Sequence, residues 1–241
     1  MRQDTVPLLI TSAVDIAAGR TALSDPAQRL QKTLEGIARW RSCGAVGRVV
    51  VCDGSGVDLS PHVPDADDPR AGVPCEFLHF TNSQDQVRAL GKGYGEGEIV
   101  RHALAHSPTL ANSDRFAKCT GKLWVSNAAR CIRFSAGLPL AFDYGGVFRA
   151  VHLDTRFYIA DTDVFHRHLL DAHLAVDEDQ RHYLEHAYRD ALRGFKLSEI
   201  AMFPTPRIEG TSGSMNLDYR PRPAKDMLRD VRSLLVRTLG L

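Results

Sequence analysis

Two short segments of this chain concentrate residue types that handle anions. The first is 91–97 (GKGYGEG). Its glycines let backbone come close to a ligand, Lys92 adds positive charge, and a helix predicted over about 98–106 presents free N–H groups behind it. Gly93, Tyr94, Gly95 and Glu96 are the binding candidates here, against the plainer reading of a flexible turn with a helix cap. The second segment is Lys118-Cys119-Thr120-Gly121-Lys122, where a glycine interrupts a strand-like run. Two lysines and the Thr120 hydroxyl suit a phosphate; a solvated edge strand is the alternative. The 91–97 segment matches neither GxxxxGK[ST] nor GxGxxG, so neither a P-loop nor a dinucleotide fold is supported.

Carboxylates are the next requirement for chemistry, because a reacting hydroxyl must give up its proton to a base. Asp154, Glu96 and Glu185 are the candidates, ranked with Asp154 first and Glu185 second. Asp154 and Arg156 lie in a strand-like stretch and suit contact with a hydroxyl of an acceptor or donor. Glu185 lies in the helical run YLEHAYRDAL, where an exposed helix face is the alternative. The one literal Asp-x-Asp, Asp161-Thr162-Asp163, begins a predicted helix and reads as a cap. His182 and His186 are four apart, but HYLEH is not HExxH, and a solvated face is expected rather than zinc. Thr211-Ser212-Gly213-Ser214 is a polar loop that suits a lid, with Ser212 and Ser214 as its hydroxyls, or a plain surface loop.

These residues need elements to hold them. Residues 6–12 (VPLLITS) form a buried strand ending in the small hydroxyls Thr11 and Ser12, and 47–53 (GRVVVCD) form a second that ends at Asp53-Gly54-Ser55-Gly56. Between them Asp25-Pro26 starts a helix with Leu30, Leu34, Ile37 and Trp40 at helical spacing. Strand, helix, strand predicts a parallel βαβ unit whose site opens at the carboxyl ends of the strands. Residues 57–74 read as an exposed loop and 75–80 as a third strand. Residues 116–126 read as one strand, 147–159 as one or two, 161–174 and 178–193 as helices, 200–203 as a strand and 204–223 as loop. Along 224–239, Met227, Leu228, Val231, Leu234, Leu235 and Leu239 share one broad face, with Lys225, Arg229, Arg232 and Arg237 elsewhere. Docking of that stripe on the core is expected, with an anionic membrane surface as the alternative.

Composition bounds the reading. The 241 residues hold 30 Lys+Arg against 29 Asp+Glu, a net charge of +1, which removes the usual argument for nucleic acid. No apolar run approaches the ~20 residues that cross a bilayer. The first ten residues carry an acid and a proline and do not read as a signal peptide, so a cytoplasmic location is expected. Five cysteines with no CxxC read as free thiols, mostly buried.

The order ITSAVD, VVVCDGSG, GKGYGEGEIVRHALAHS and FAKCTGKLWVSN resembles bacterial polysaccharide glycosyltransferases of the GT-A, or nucleotide-diphospho-sugar transferase, fold, in a divergent form. The resemblance spans about residues 6–160. It implies a single Rossmann-like α/β domain with a mostly parallel central sheet flanked by helices. Its nucleotide-binding half would be about 1–127 and its acceptor-side half about 128–241, closed by the C-terminal amphipathic helix. It further implies a nucleotide-sugar donor held by Thr11, Ser12, Asp53, Ser55, the 92–96 segment, Lys118, Thr120, Gly121 and Asn127. The acceptor would be a saccharide, free or lipid-linked, with Arg156, Ser212 and Ser214 at its side and Asp154, Glu185 and Lys122 as catalytic groups. Where the family carries Asp-x-Asp for a divalent metal, this chain has Thr120-Gly121-Lys122. A fixed lysine can replace a cation beside a departing phosphate, so no metal and no other cofactor is expected. Peripheral contact with the inner membrane fits a lipid-linked acceptor. A nucleotidyltransferase, in which an acidic metal-binding pair would be essential, and a non-catalytic glycan- or protein-binding module are the competing readings.

Overall fold

A computed structural model describes residues 6–16, 22–213 and 217–241. Its centre is a six-stranded sheet in the order β3-β2-β1-β4-β7-β6, made of β1 (Leu8–Ser12), β2 (Val49–Asp53), β3 (Cys75–His79), β4 (Arg115–Thr120), β6 (Leu140–Gly145) and β7 (His152–Asp161). The pairs β1–β2, β2–β3 and β1–β4 are parallel, whereas β7 runs antiparallel to both β4 and β6. Every residue of β1 and β2 is buried, as expected for parallel strands covered on both faces. A smaller sheet pairs β5 (Leu123–Val125), β8 (Ile208–Thr211) and β9 (Asp218–Tyr219) in that order.

Helices cover both faces of the large sheet. α1 (Pro26–Ser42) begins as the sequence indicates: the Asp25 carboxylate accepts from Ala27 N at 2.9 Å and Pro26 occupies the first turn. It packs with α5 (Ala128–Phe134) on one side. On the other lie α3 (Lys92–His106) and α7 (Leu184–Ala191), with Tyr158, Phe165 and Tyr188 in the core between them and the sheet. α2 (Gln84–Leu90) and α4 (Pro108–Ala111) flank α3, α6 (Thr162–His168) follows β7, and α8 (Leu197–Ile200) precedes the 204–207 turn.

Several sequence expectations are corrected. The glycine-rich segment is not a loop before a helix but the first turns of α3 itself. Its glycines serve packing: a Cβ on Gly97 would lie 2.1 Å from His173 Cβ, and one on Gly95 2.8 Å from the Asn82 amide. The 116–126 run is two strands in different sheets, because Lys122 takes a left-handed backbone (φ 70°) and turns the chain out of β4. The two helices expected over 161–174 and 178–193 shorten to α6 and α7, with a 3₁₀ turn at Ala172–Ala175 between them. Residues 197–200 are helical where a strand was expected, and only Ala201 bridges to Phe142. β8 and β9 are short strands within 204–223, which the sequence reads as loop, and β6 had no sequence expectation. The apolar stripe of α9 (Pro223–Leu239) faces solvent, the reverse of core docking; Asp226, Ser233 and Val236 are its buried residues.

All five cysteines are free, four buried and Cys43 exposed. No helix among the described residues is long and apolar enough to cross a membrane.

Candidate functional site

In the order 3-2-1-4 the chain turns direction between β1 and β4, and an α/β sheet opens its binding crevice at such a switch point. A cleft of about 790 Å³ lies there. Its floor is Thr11 and Ser12 from β1 and Thr120, Gly121 and Lys122 from the end of β4. These ends are tied together: Gly121 N–H donates to the Thr11 carbonyl at 2.7 Å, and a Cβ on Gly121 would meet that oxygen at 2.8 Å. One wall is α3, with Lys92, Gly95 and Glu96; the other is β7 and α7, with Asp154, Thr155, Arg156 and Glu185. Thr211, Ser212, Gly213 and Tyr219 of the β8–β9 hairpin close the side.

Lys122 is 5% exposed, and among the described residues no acceptor hydrogen-bonds its ammonium. Burial, and then the charge of Arg29, bring its pKa down to about 7. Arg29 is buried too, fixed by bonds from Nε and Nη2 to the Ala13 carbonyl and from Nη1 to the Leu23 carbonyl. Two cations side by side at a strand end form a site that an anion would complete.

Lys118 behaves differently. It is 1% exposed and spends its ammonium on the Glu96 carboxylate, on Thr120 Oγ1 at 2.9 Å and on the Thr155 carbonyl at 2.7 Å. Thr120 also donates to Glu96 at 3.0 Å. A buried lysine needs such partners, and this one clamps α3, β4 and β7 together beneath the cleft.

The two leading carboxylates are in opposite states. Burial alone would raise the Asp154 pKa, but hydrogen bonds and charge from Arg156 outweigh it and hold the pKa below the ordinary value. Asp154 and Arg156 share one face of β7 two residues apart and occupy each other through Nε and Nη2. Arg156 also lies 4.8 Å over the Tyr219 ring. Glu185 accepts from Thr155 Oγ1 at 3.3 Å, and burial, reinforced by the charges of Glu96 and Asp154, raises its pKa. A carboxylate poised in this direction is suited to taking a proton.

The cleft therefore gathers Thr11, Ser12, Lys92, Gly95, Glu96, Thr120, Gly121, Lys122, Asp154, Arg156, Glu185 and Ser212. Six candidates lie off its lining. Asp53 and Ser55 hold the loop after β1, Asp53 accepting from Val14 N at 3.0 Å and Ser55 Oγ from Val14 and Asp15 N. Tyr94 packs edge-on to His173, and Gly93 N donates to Glu178 at 2.9 Å. Lys118 is the clamp, and Asn127 ties α5 to the Thr205 carbonyl and Arg207 N. Ser214 lies outside the described residues. Arg29, Asn82, Gln84, Arg88, His152 and Tyr219 line the cleft without having been singled out. Of these Arg29 had a legible signal, since Arg29, Thr33, Gly36 and Trp40 recur at helical spacing as a second inward face of α1.

Elsewhere, Asp161 stands at the start of α6 but pairs with Arg115 at 3.0 Å rather than capping. His182 precedes α7 and uses both ring nitrogens, on the Ala175 carbonyl and Asp190.

No protein-family model matches the chain, and no curated protein matches it in sequence. Among solved structures, core-mannan synthase A of Aspergillus fumigatus in a Mn/GDP form superposes with a TM-score of 0.54 at 9% identity, over 93% of this chain and 82% of that one. The fold is GT-A-like. Mouse xyloside xylosyltransferase 1 (TM-score 0.42, 11% identity, 81% and 83% covered) and the 4-diphosphocytidyl-2C-methyl-D-erythritol synthase of Anaerococcus prevotii (0.43, 8%, 95% and 95%) are more distant matches. The end of β4 carries Thr120-Gly121-Lys122, the stretch that the sequence resemblance sets against an acidic metal motif. The residues there do not fit a divalent cation: the position holds an amine in place of oxygen ligands, and Glu96 is engaged by Lys118. No three His, Cys, Asp or Glu side chains among the described residues gather to hold a metal ion.

Proposed function

We propose that this protein is a glycosyltransferase that moves a sugar from a nucleotide-activated donor to a saccharide acceptor, free or lipid-linked, in the cytoplasm, in synthesis of a bacterial surface polysaccharide or glycoconjugate, without a divalent metal. The observation that carries the reading is one cleft, at the switch point of a GT-A-like sheet, lined by both the buried Lys122 and Glu185, whose pKa burial raises. The donor's phosphates would lie on Lys122 at the end of β4, with Lys92 at the α3 wall. Glu185 would take the proton of the acceptor hydroxyl as its oxygen bonds to the anomeric carbon. The bond from that carbon to the phosphate oxygen breaks, and the electron pair leaves with the nucleotide, where Lys122 neutralises it. Asp154, committed to Arg156, would hold the acceptor side in place instead of acting as the base.

Thermal-shift measurements with UDP-, GDP-, CMP- and dTDP-linked sugars test this. At a hundredfold excess over Kd, at least one should raise the melting temperature by about 5–10 °C. Lys122→Met should abolish the shift. With the responding donor, Glu185→Gln should bind normally but lower turnover by about 10²–10⁴. No response to any nucleotide sugar overturns the proposal. Release of pyrophosphate from a nucleoside triphosphate would instead identify a nucleotidyltransferase.

A further inference from the structure

The terminal helix is built inside out. Four of its charged residues turn toward the domain: Asp226 and Asp230 pair with Arg207, Arg229 reaches Asp143 and Asp226, and Arg232 bonds Asp143 and the Gly146 carbonyl. What remains outside is Met227, Leu228, Val231, Leu234, Leu235 and Leu239, each between 44% and 67% exposed. Further exposed apolar residues lie on segments bonded to the helix. Arg237 donates to the carbonyl of Phe134, whose side chain is exposed. Arg232 donates to the Gly146 carbonyl, next in sequence to the exposed Val147 and Phe148 of the β6–β7 hairpin.

The rim of this surface is basic. Arg130 sits one turn before Phe134 on the same face of α5, and the Arg133 guanidinium lies 4.9 Å over the Phe134 ring. Arg149 is exposed in the hairpin, and Arg222 and Lys225 are exposed at the start of α9. Both carboxylates of the helix are spent inward, so its outer face offers no negative charge.

We propose that this face docks on an anionic lipid bilayer, with α9 lying in the plane of the surface. Its apolar residues would enter the headgroup–acyl boundary while the basic rim meets lipid phosphates, the combination that holds interfacial helices. A second copy of the chain is a poorer fit. Two copies paired through this face would set their basic rims against each other, and both carboxylates of the helix are paired inward, so no negative charge of the helix would meet them. The inference goes beyond the transferase reading and does not depend on it.

Flotation of the full chain with vesicles tests it directly, whether or not the protein transfers sugar. Vesicles of equal parts phosphatidylcholine and phosphatidylglycerol should carry the protein, and phosphatidylcholine alone should carry about tenfold less. Leu228→Glu with Leu235→Glu, both at exposed positions, should keep the wild-type melting temperature and lose flotation. Phe148→Ser, off the helix, should weaken it without touching α9. Arg133→Glu with Lys225→Glu should remove the preference for the anionic vesicles. Absence of flotation on anionic vesicles, or flotation undiminished in the Leu228/Leu235 variant, sinks the proposal. A wild-type dimer that this variant converts to monomer does so too, by assigning the face to a second copy.

Discussion

Lys122 is held in a left-handed backbone, nearly out of water and beside another cation. Each of these conditions is unfavourable to the fold, and together they make an anion the natural complement of the site. With a pKa of about 7 in the free protein, raised once a phosphate lies against it, Lys122 should take up a proton as nucleotide binds. Nucleotide affinity should therefore be flat below about pH 6 and weaken above about pH 7, by up to about tenfold per pH unit until the bound-state pKa is passed. Calorimetry in buffers of different ionisation heat counts that proton, and Lys122→Arg, which keeps the charge but does not titrate in this range, should bind without the uptake and without the pH dependence. The folding consequence has the opposite direction. A lysine whose folded pKa is depressed binds fewer protons folded than unfolded between about pH 7 and 10.4, so its contribution to stability rises with pH across that window.

The glycines of α3 show what spacing alone could not distinguish. GKGYGEG has the composition of a phosphate-cradling turn, yet Gly93, Gly95 and Gly97 alternate so as to let α3 approach Leu184, Asn82 and His173. The difference lies in what stands opposite the glycines, which is long-range information. Gly97→Ala gains about 1 kcal/mol in helix propensity but forces a methyl into His173 at 2.1 Å. We expect a net loss of about 1–2 kcal/mol in urea unfolding, whereas Gly194→Ala, with open space around it, should be near neutral. The same kind of information decided α9. The stripe was plain in the sequence, but its direction was set by Asp143 and Arg207, which lie more than a dozen residues away and draw the charged side of the helix inward. Local signals with local causes were the legible ones: the Asp25-Pro26 helix start and the buried β1 and β2.

The large sheet draws its strands from residues 8–161, and β1 and β2 were readable because parallel strands covered on both faces are short, apolar and bounded by turns. β6, β8 and β9 were not: β6 is fixed by its hairpin with β7, with Phe142 opposite Tyr158, and β8 by pairing with the distant β5, with Leu123 opposite Gly210. Cleft residues followed the same division, those on β1 and β4 being anticipated while His152, Tyr219 and Asn82 were not. At the scale of the whole protein the proposed chemistry makes the medium a test: transfer should be undiminished in excess EDTA. Complete loss of activity restored by Mn²⁺ would contradict the role given to Lys122. The Lys118 clamp has one more consequence. It fastens the floor of the cleft from below through Glu96, Thr120 and Thr155, while Gln84, Arg88, His152, Ser212 and Tyr219 reach the cleft from α2, the start of β7 and the small hairpin. Substitutions at those outer positions leave the clamp intact, so substrate preference can diversify there, in the laboratory or in evolution, without the foundation having to be rebuilt.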